Sequence, residues 1–93
     1  MADSPALAVR RVTLLAGVTT PVYPPRECHD VTVGNATVGD LTIYSTPDDA
    51  SRGLIVAAGY ERNLTVRAHY FRSTEIAFWL NAVSAGDVVL TWI

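Results

Sequence analysis

The chain has 93 residues, with seven Arg, no Lys, nine acidic residues and a formal charge of −2; 17% of it is charged and 49% apolar. Ordinary soluble domains carry roughly a quarter charged residues, so the departure is a shortage of charge. One domain over 1–93 is expected, burying roughly 64% of its unfolded surface, which is enough for a single core but too little for a deep catalytic cleft.

Met1 to Gly17 lacks signal-peptide character, since Asp3 is acidic and Arg10 and Arg11 interrupt the apolar stretch. Residues 1–7 read as a flexible N-terminal arm. Ala8 to Leu15 is the first predicted strand, with Val12 and Leu14 on one face and Arg11 and Thr13 on the other. Gly17 turns the chain into a short strand, Thr19 to Tyr23, which Pro24-Pro25 ends because proline has no N–H for a ladder. Asp30 to Val33 follows, and Gly34 to Gly39 reads as a hairpin connection to a partner strand, Asp40 to Tyr44. There Leu41 and Ile43 alternate with Thr42 and Tyr44.

Pro47 to Arg52 reads as a polar loop with one helical turn. Gly53 to Ala57 is a near-continuous apolar strand, Asn63 to Arg67 another alternating one, and His69 to Arg72 a loop. Thr74 to Val83 fits both periods, but the aromatic pair Phe78-Trp79 and the surrounding β pattern favour strand. Asp87 to Trp92 closes the chain as a strand expected to pair inside a sheet or against a partner. Val, Ile and Thr number 26, and turn residues recur at short intervals. The predicted fold is all-β with no long helix: a seven- or eight-stranded antiparallel sandwich of jelly-roll type, or a small barrel.

The chemistry is sparse. Cys28 is the only cysteine, which excludes a disulfide framework. Glu27-Cys28-His29-Asp30 is the densest set of possible ligands, but neighbours on a strand point to opposite faces and no CxxC, HxH or HExxH spacing occurs. A Cys28/His69 pair has no glycine-flanked elbow or helix N-terminus to activate the thiol, and the serines lack a GxSxG context. Asp48-Asp49 suits a turn. Asn35-Ala36-Thr37 and Asn63-Leu64-Thr65 match the glycosylation acceptor pattern, although Asn35 suits a bend by itself. No catalytic residue, metal site or cofactor is predicted. The acidic balance argues against nucleic acid, and no apolar run approaches the roughly 20 residues of a membrane span.

A chain this poor in charge tends to associate. The candidate interface residues are Arg10, Arg11, Tyr23, Tyr44, Tyr60, Tyr70, Trp79 and Trp92, with core packing the ordinary role of Phe78 and one tryptophan. The segments Val12 to Gly17, Cys28 to Asn35, Gly39 to Tyr44, Ala57-Ala58-Gly59 with Leu64-Thr65-Val66, and Ala85 to Trp92 together resemble the small all-β virion proteins of tailed bacteriophages, the capsid decoration or cement proteins. The resemblance rests on hairpin and turn patterns. It implies a non-enzymatic protein of the capsid surface, made in the bacterial host cytoplasm, that forms dimers or trimers and bridges subunits of the major capsid protein. A tail, neck or fibre component is the alternative within virions. A carbohydrate-binding module using Trp79, Trp92 or Tyr60 is the alternative outside them. The charges Asp3, Arg26, Glu27, Asp48, Asp49, Arg52, Glu61, Arg62, Arg72, Glu75 and Asp87 fall at predicted termini and turns, which leaves the sheet faces for a partner to cover.

Overall fold

The computed structural model describes residues 8–44, 53–65 and 75–93. They form eight strands: β1 (Ala8–Leu14), β2 (Thr20–Val22), β3 (Asp30–Asn35), β4 (Leu41–Tyr44), β5 (Leu54–Val56), β6 (Glu61–Thr65), β7 (Phe78–Ala82) and β8 (Gly86–Trp92). Two four-stranded antiparallel sheets result, ordered β1-β8-β3-β6 and β2-β7-β4-β5, and no helix occurs among the described residues. The arrangement is sandwich-like, with two sheets in place of one closed barrel.

The pairing follows one rule. β1 pairs with β8, β2 with β7, β3 with β6 and β4 with β5. The first half of the chain therefore runs antiparallel to the second as a two-stranded ribbon. The ribbon then folds over, and β3 meets β8 while β4 meets β7. Register survives the passage from one sheet to the other: partner numbers add to 100 from Ala8–Trp92 through Leu14–Gly86, and again from Thr20–Leu80 to Val22–Phe78.

Alternation dictates the core. Val31, Val33, Val88, Leu90, Trp92 and Leu14 face inward from the first sheet. Val22, Phe78, Leu80, Ala82, Leu41, Ile43 and Val56 do so from the second, all buried in one cluster. Trp92 is fully buried and stacks on Phe78 across the sheets, with ring centroids 6.0 Å apart. The stretch around Phe78 is thus a strand, and the last strand lies in the middle of its sheet.

Three expectations need correction. β3 and β4 are not hairpin partners: Gly34 and Asn35, expected in the connection, belong to β3, and 36–40 crosses between the sheets. Alternation says which face is buried but not which strand lies alongside. The strand expected at Asn63 to Arg67 begins at Glu61, so Glu61 and Arg62 are strand residues; 66–67 lie outside the described residues. Leu54–Val56 buries only Val56, because it is an edge strand. The expected loops at Pro47 to Arg52 and His69 to Arg72, and the N-terminal arm, also lie outside the described residues.

Every edge is guarded against further pairing. Arg10 on β1 and Arg62 on β6 occupy core-facing register positions, opposite Leu90 and Val33, yet both are exposed. β2 and β5 have three residues each, and β2 contains Pro21.

At one end of the molecule, Asn35 closes the space between the sheets. Its amide nitrogen donates to the carbonyls of Gly39 and of Val56 in the opposite sheet, both at 2.8 Å. Its amide oxygen accepts from the Thr37 backbone N–H at 3.0 Å and from the Thr37 hydroxyl at 2.7 Å. Asn35 and Thr37 are the only buried polar side chains among the described residues. Gly86 is required beside them, since a Cβ there would stand 3.1–3.2 Å from Thr37. Asn35→Ala should therefore cost about 2–3 kcal/mol by leaving buried polar groups unmade, read as a lower urea midpoint. Asn35→Asp should be at least as damaging, because its carboxylate would face two carbonyl oxygens.

Candidate interaction surface

Four connections meet at the Asn35 end: 15–19, 36–40, 57–60 and 83–85. Antiparallel pairing brings them there, and backbone hydrogen bonds tie them together. Gly17 N–H donates to Ala82 at 2.8 Å, Val83 N–H to Asp40 at 3.0 Å, Ala36 N–H to Asp87 at 3.1 Å, and Gly59 N–H to Asn35 at 2.9 Å. These loops carry one charged residue, Asp40. They also expose large apolar side chains: Val38 is 86% exposed, Tyr60 70%, Val83 69% and Leu15 67%. Scattered exposed apolar residues are ordinary, but several on adjoining loops almost without charge make this end a candidate contact surface.

The opposite end is of different character. Residues 23–29 there include Arg26, Glu27 and His29, and the chain terminus is held by Ile93 N–H donating to Asp30 at 2.9 Å and by His29 N–H donating to Ile93 at 3.0 Å. Cys28 is buried in this region, and its sulfur accepts from an Arg26 guanidinium nitrogen at 3.6 Å.

The two outer sheet faces also differ. The first sheet presents polar pairs: Thr13 hydroxyl donates to Asp87 at 2.8 Å, Arg11 pairs with Asp87 at 3.5 Å, and Asn63 donates to Asp30 at 2.6 Å and to Thr32 at 3.2 Å. Among the described residues, the strands of the second sheet present no charge. Register places Pro21, Trp79 and Tyr44 in one cross-strand row, with Asn81, Thr42 and Ile55 in the next. Asn81 donates to Thr19 at 2.9 Å. Gly53 is needed where Tyr44 crosses it, since a Cβ would collide with Thr42 and stand 2.7 Å from the Tyr44 ring. Tyr23, 55% exposed, follows β2 on the same outward alternation as Pro21.

The structure thus brings together Tyr23, Tyr44 and Trp79 from the expected interface set. Tyr60 stands apart on the loop end, and Arg10 and Arg11 on the edge of the other sheet. Tyr70 lies outside the described residues, as do Asp48-Asp49 and His69. Trp92 is corrected: it is fully buried against Phe78 and offers no surface to a partner. Leu15, Val18, Val38 and Val83 were not expected as contact residues. Their turns hold one charge between them, Asp40, which is visible in the sequence, but only the strand order gathers the turns at one end.

Comparison with protein-family models, with curated proteins and with solved structures finds no match to this chain. The surface therefore has to be interpreted from its own chemistry.

The two tryptophans give a direct check on this division. Trp92→Ala should cost about 3–5 kcal/mol by opening the core, whereas Trp79→Ala should cost about 1 kcal/mol or less, as outward-facing substitutions do. Urea unfolding of each variant, followed by circular dichroism, measures both.

Proposed function

We propose that this protein is a non-enzymatic structural component of a bacteriophage virion, one that decorates the capsid and stabilises it by bridging subunits of the major capsid protein. The observation that carries the reading is the loop end: four connections that expose Leu15, Val18, Val38, Tyr60 and Val83 around a single charge. Such a surface costs free energy in water, and covering it stabilises the assembly by about 25 cal/mol per Å² of apolar area removed from solvent. A protein held permanently in an assembly keeps it covered. We assign the strand order to the jelly-roll plan, in which a two-stranded ribbon wraps into two four-stranded sheets. Viral capsid domains use that plan, though lectins and other proteins do too, so topology alone carries no function. The uncharged outer face of the second sheet suits contact between copies in a dimer or trimer. The burial of Cys28 argues against its use as a thiol nucleophile, since a substrate cannot reach it.

A second reading has its own observation. Trp79, Tyr44 and Pro21 form a row on a flat, uncharged sheet face beside Asn81, an arrangement that could stack a sugar ring and hydrogen-bond its hydroxyls. A glycan array with a Trp79→Ala control separates the readings: sugar binding that Trp79→Ala abolishes favours the module, and its absence favours the assembly component.

For the principal reading, the protein should be present in purified virions by mass spectrometry, and shells lacking it should disrupt at lower temperature. Val38→Asp combined with Val83→Asp places two carboxylates on the loop end. That double variant should fail to bind depleted shells while its melting temperature in solution stays within a few degrees of the parent, because both positions are exposed. A freely monomeric protein absent from particles would sink the proposal.

A further inference from the structure

We propose that the depression over Gly34, on the outer face of the first sheet, binds a long cationic side chain, an arginine or lysine presented by a partner protein. One cross-strand row on this face runs Arg11, Val89, Gly34, Glu61. Neighbouring strands lie about 4.8 Å apart, so the side chains of Val89 and Glu61 rise roughly 10 Å apart on either side of a residue that has none. The result is a depression of about 290 Å³, lined by residues 34–36, Gly59, Tyr60, Glu61 and Val89. Ala36 and Gly59 leave it open toward the loop end.

Nothing in the fold demands a glycine at position 34. Its φ is not positive, and a Cβ there would meet only Val89, at 3.6 and 3.9 Å, which is ordinary contact. β3 is an interior strand of its sheet, where glycine weakens the strand and commonly marks the close approach of a ligand or another backbone. The space is therefore kept at a cost to the strand.

The chemistry of the walls selects the occupant. Val89 and the Gly34 backbone suit an alkyl stem. Glu61 is the only acid in the lining, and no hydrogen bond or ion pair engages its carboxylate among the described residues. The other acids of this face are taken: Asp87 by Thr13 and Arg11, Asp30 by Asn63. An alkyl chain laid over Gly34 with its cationic head at Glu61 fills the depression and pairs the carboxylate, in the way arginine and lysine cover apolar surface while keeping the charge in contact with water. An anion would be repelled, and a neutral chain would gain no attraction from Glu61. The site lies on the opposite face from Trp79 and Tyr44, and it stands whether or not the virion reading holds.

The test uses the isolated full chain. Amide shifts are followed by NMR during titration with N-acetylarginine methylamide and, separately, with the uncharged citrulline analogue. Saturable shifts confined to Gly34, Gly59, Tyr60, Glu61 and Val89 are expected with arginine and should be lost with citrulline. Glu61→Gln, at an exposed position, and Gly34→Val, which fills the gap with a strand-favouring residue, should each abolish them with the remaining spectrum unchanged. Should Gly34→Val fail to fold, Glu61→Gln still decides. Absent or scattered shifts, equal binding of citrulline, or indifference to Glu61→Gln would overturn the proposal.

Discussion

The Asn35 amide holds together the part of this molecule on which the rest depends. A sandwich of short strands is easily closed through its middle by apolar side chains, but its ends must pass backbone from one sheet to the other. Peptide groups buried there need partners. Asn35 supplies two donors and accepts two more bonds with one side chain, joining β3 to the last residue of β5 across the sheets and fixing the 36–40 turn. With that junction satisfied internally, the four surrounding connections need no charged or capping side chains of their own. Their outer surface is free to be apolar.

Charge is therefore segregated in this protein. The acids and arginines of the described residues lie on the outer face of the first sheet, on its edges and at the end away from Asn35. The four connections of the loop end carry only Asp40, and the described outward residues of the second sheet carry no charge. A net charge of −2 gives little long-range repulsion between copies. Edge protection by Arg10, Arg62, Pro21 and strand shortness disfavours strand-to-strand pairing with another chain.

Most strands were legible because inward positions alternate strictly: Val31 and Val33, Leu41 and Ile43, Leu80 and Ala82, Leu90 and Trp92 mark their strands without help from tertiary structure. Partner choice was not legible. Gly34 to Asp40 has the residues of a hairpin turn, yet its path depends on Asn35 reaching Val56, 21 positions away, a contact that no local pattern encodes. Trp79 and Trp92 could be divided between surface and core only in number, since each sits in a regular alternation and the deciding fact is which face meets the other sheet. The loop end was the least legible feature. Its apolar residues come singly from four turns, and a turn with one exposed valine is unremarkable by itself.

The constant register of the ribbon has a consequence for how the sequence can vary. Between Leu14–Gly86 and Thr20–Leu80 each arm of the ribbon has five residues, 15–19 on one and 81–85 on the other, of which Asn81 and Ala82 still belong to β7. The two arms travel around the same corner, so their lengths are not independent. A residue lost from 15–19 alone would turn Val22 outward or shift Phe78 off its partner, whereas matched losses from 15–19 and 83–85 would keep every inward residue inward. Length change at this corner should thus occur in pairs on segments some 65 positions apart, a covariation of gaps and not of residue types.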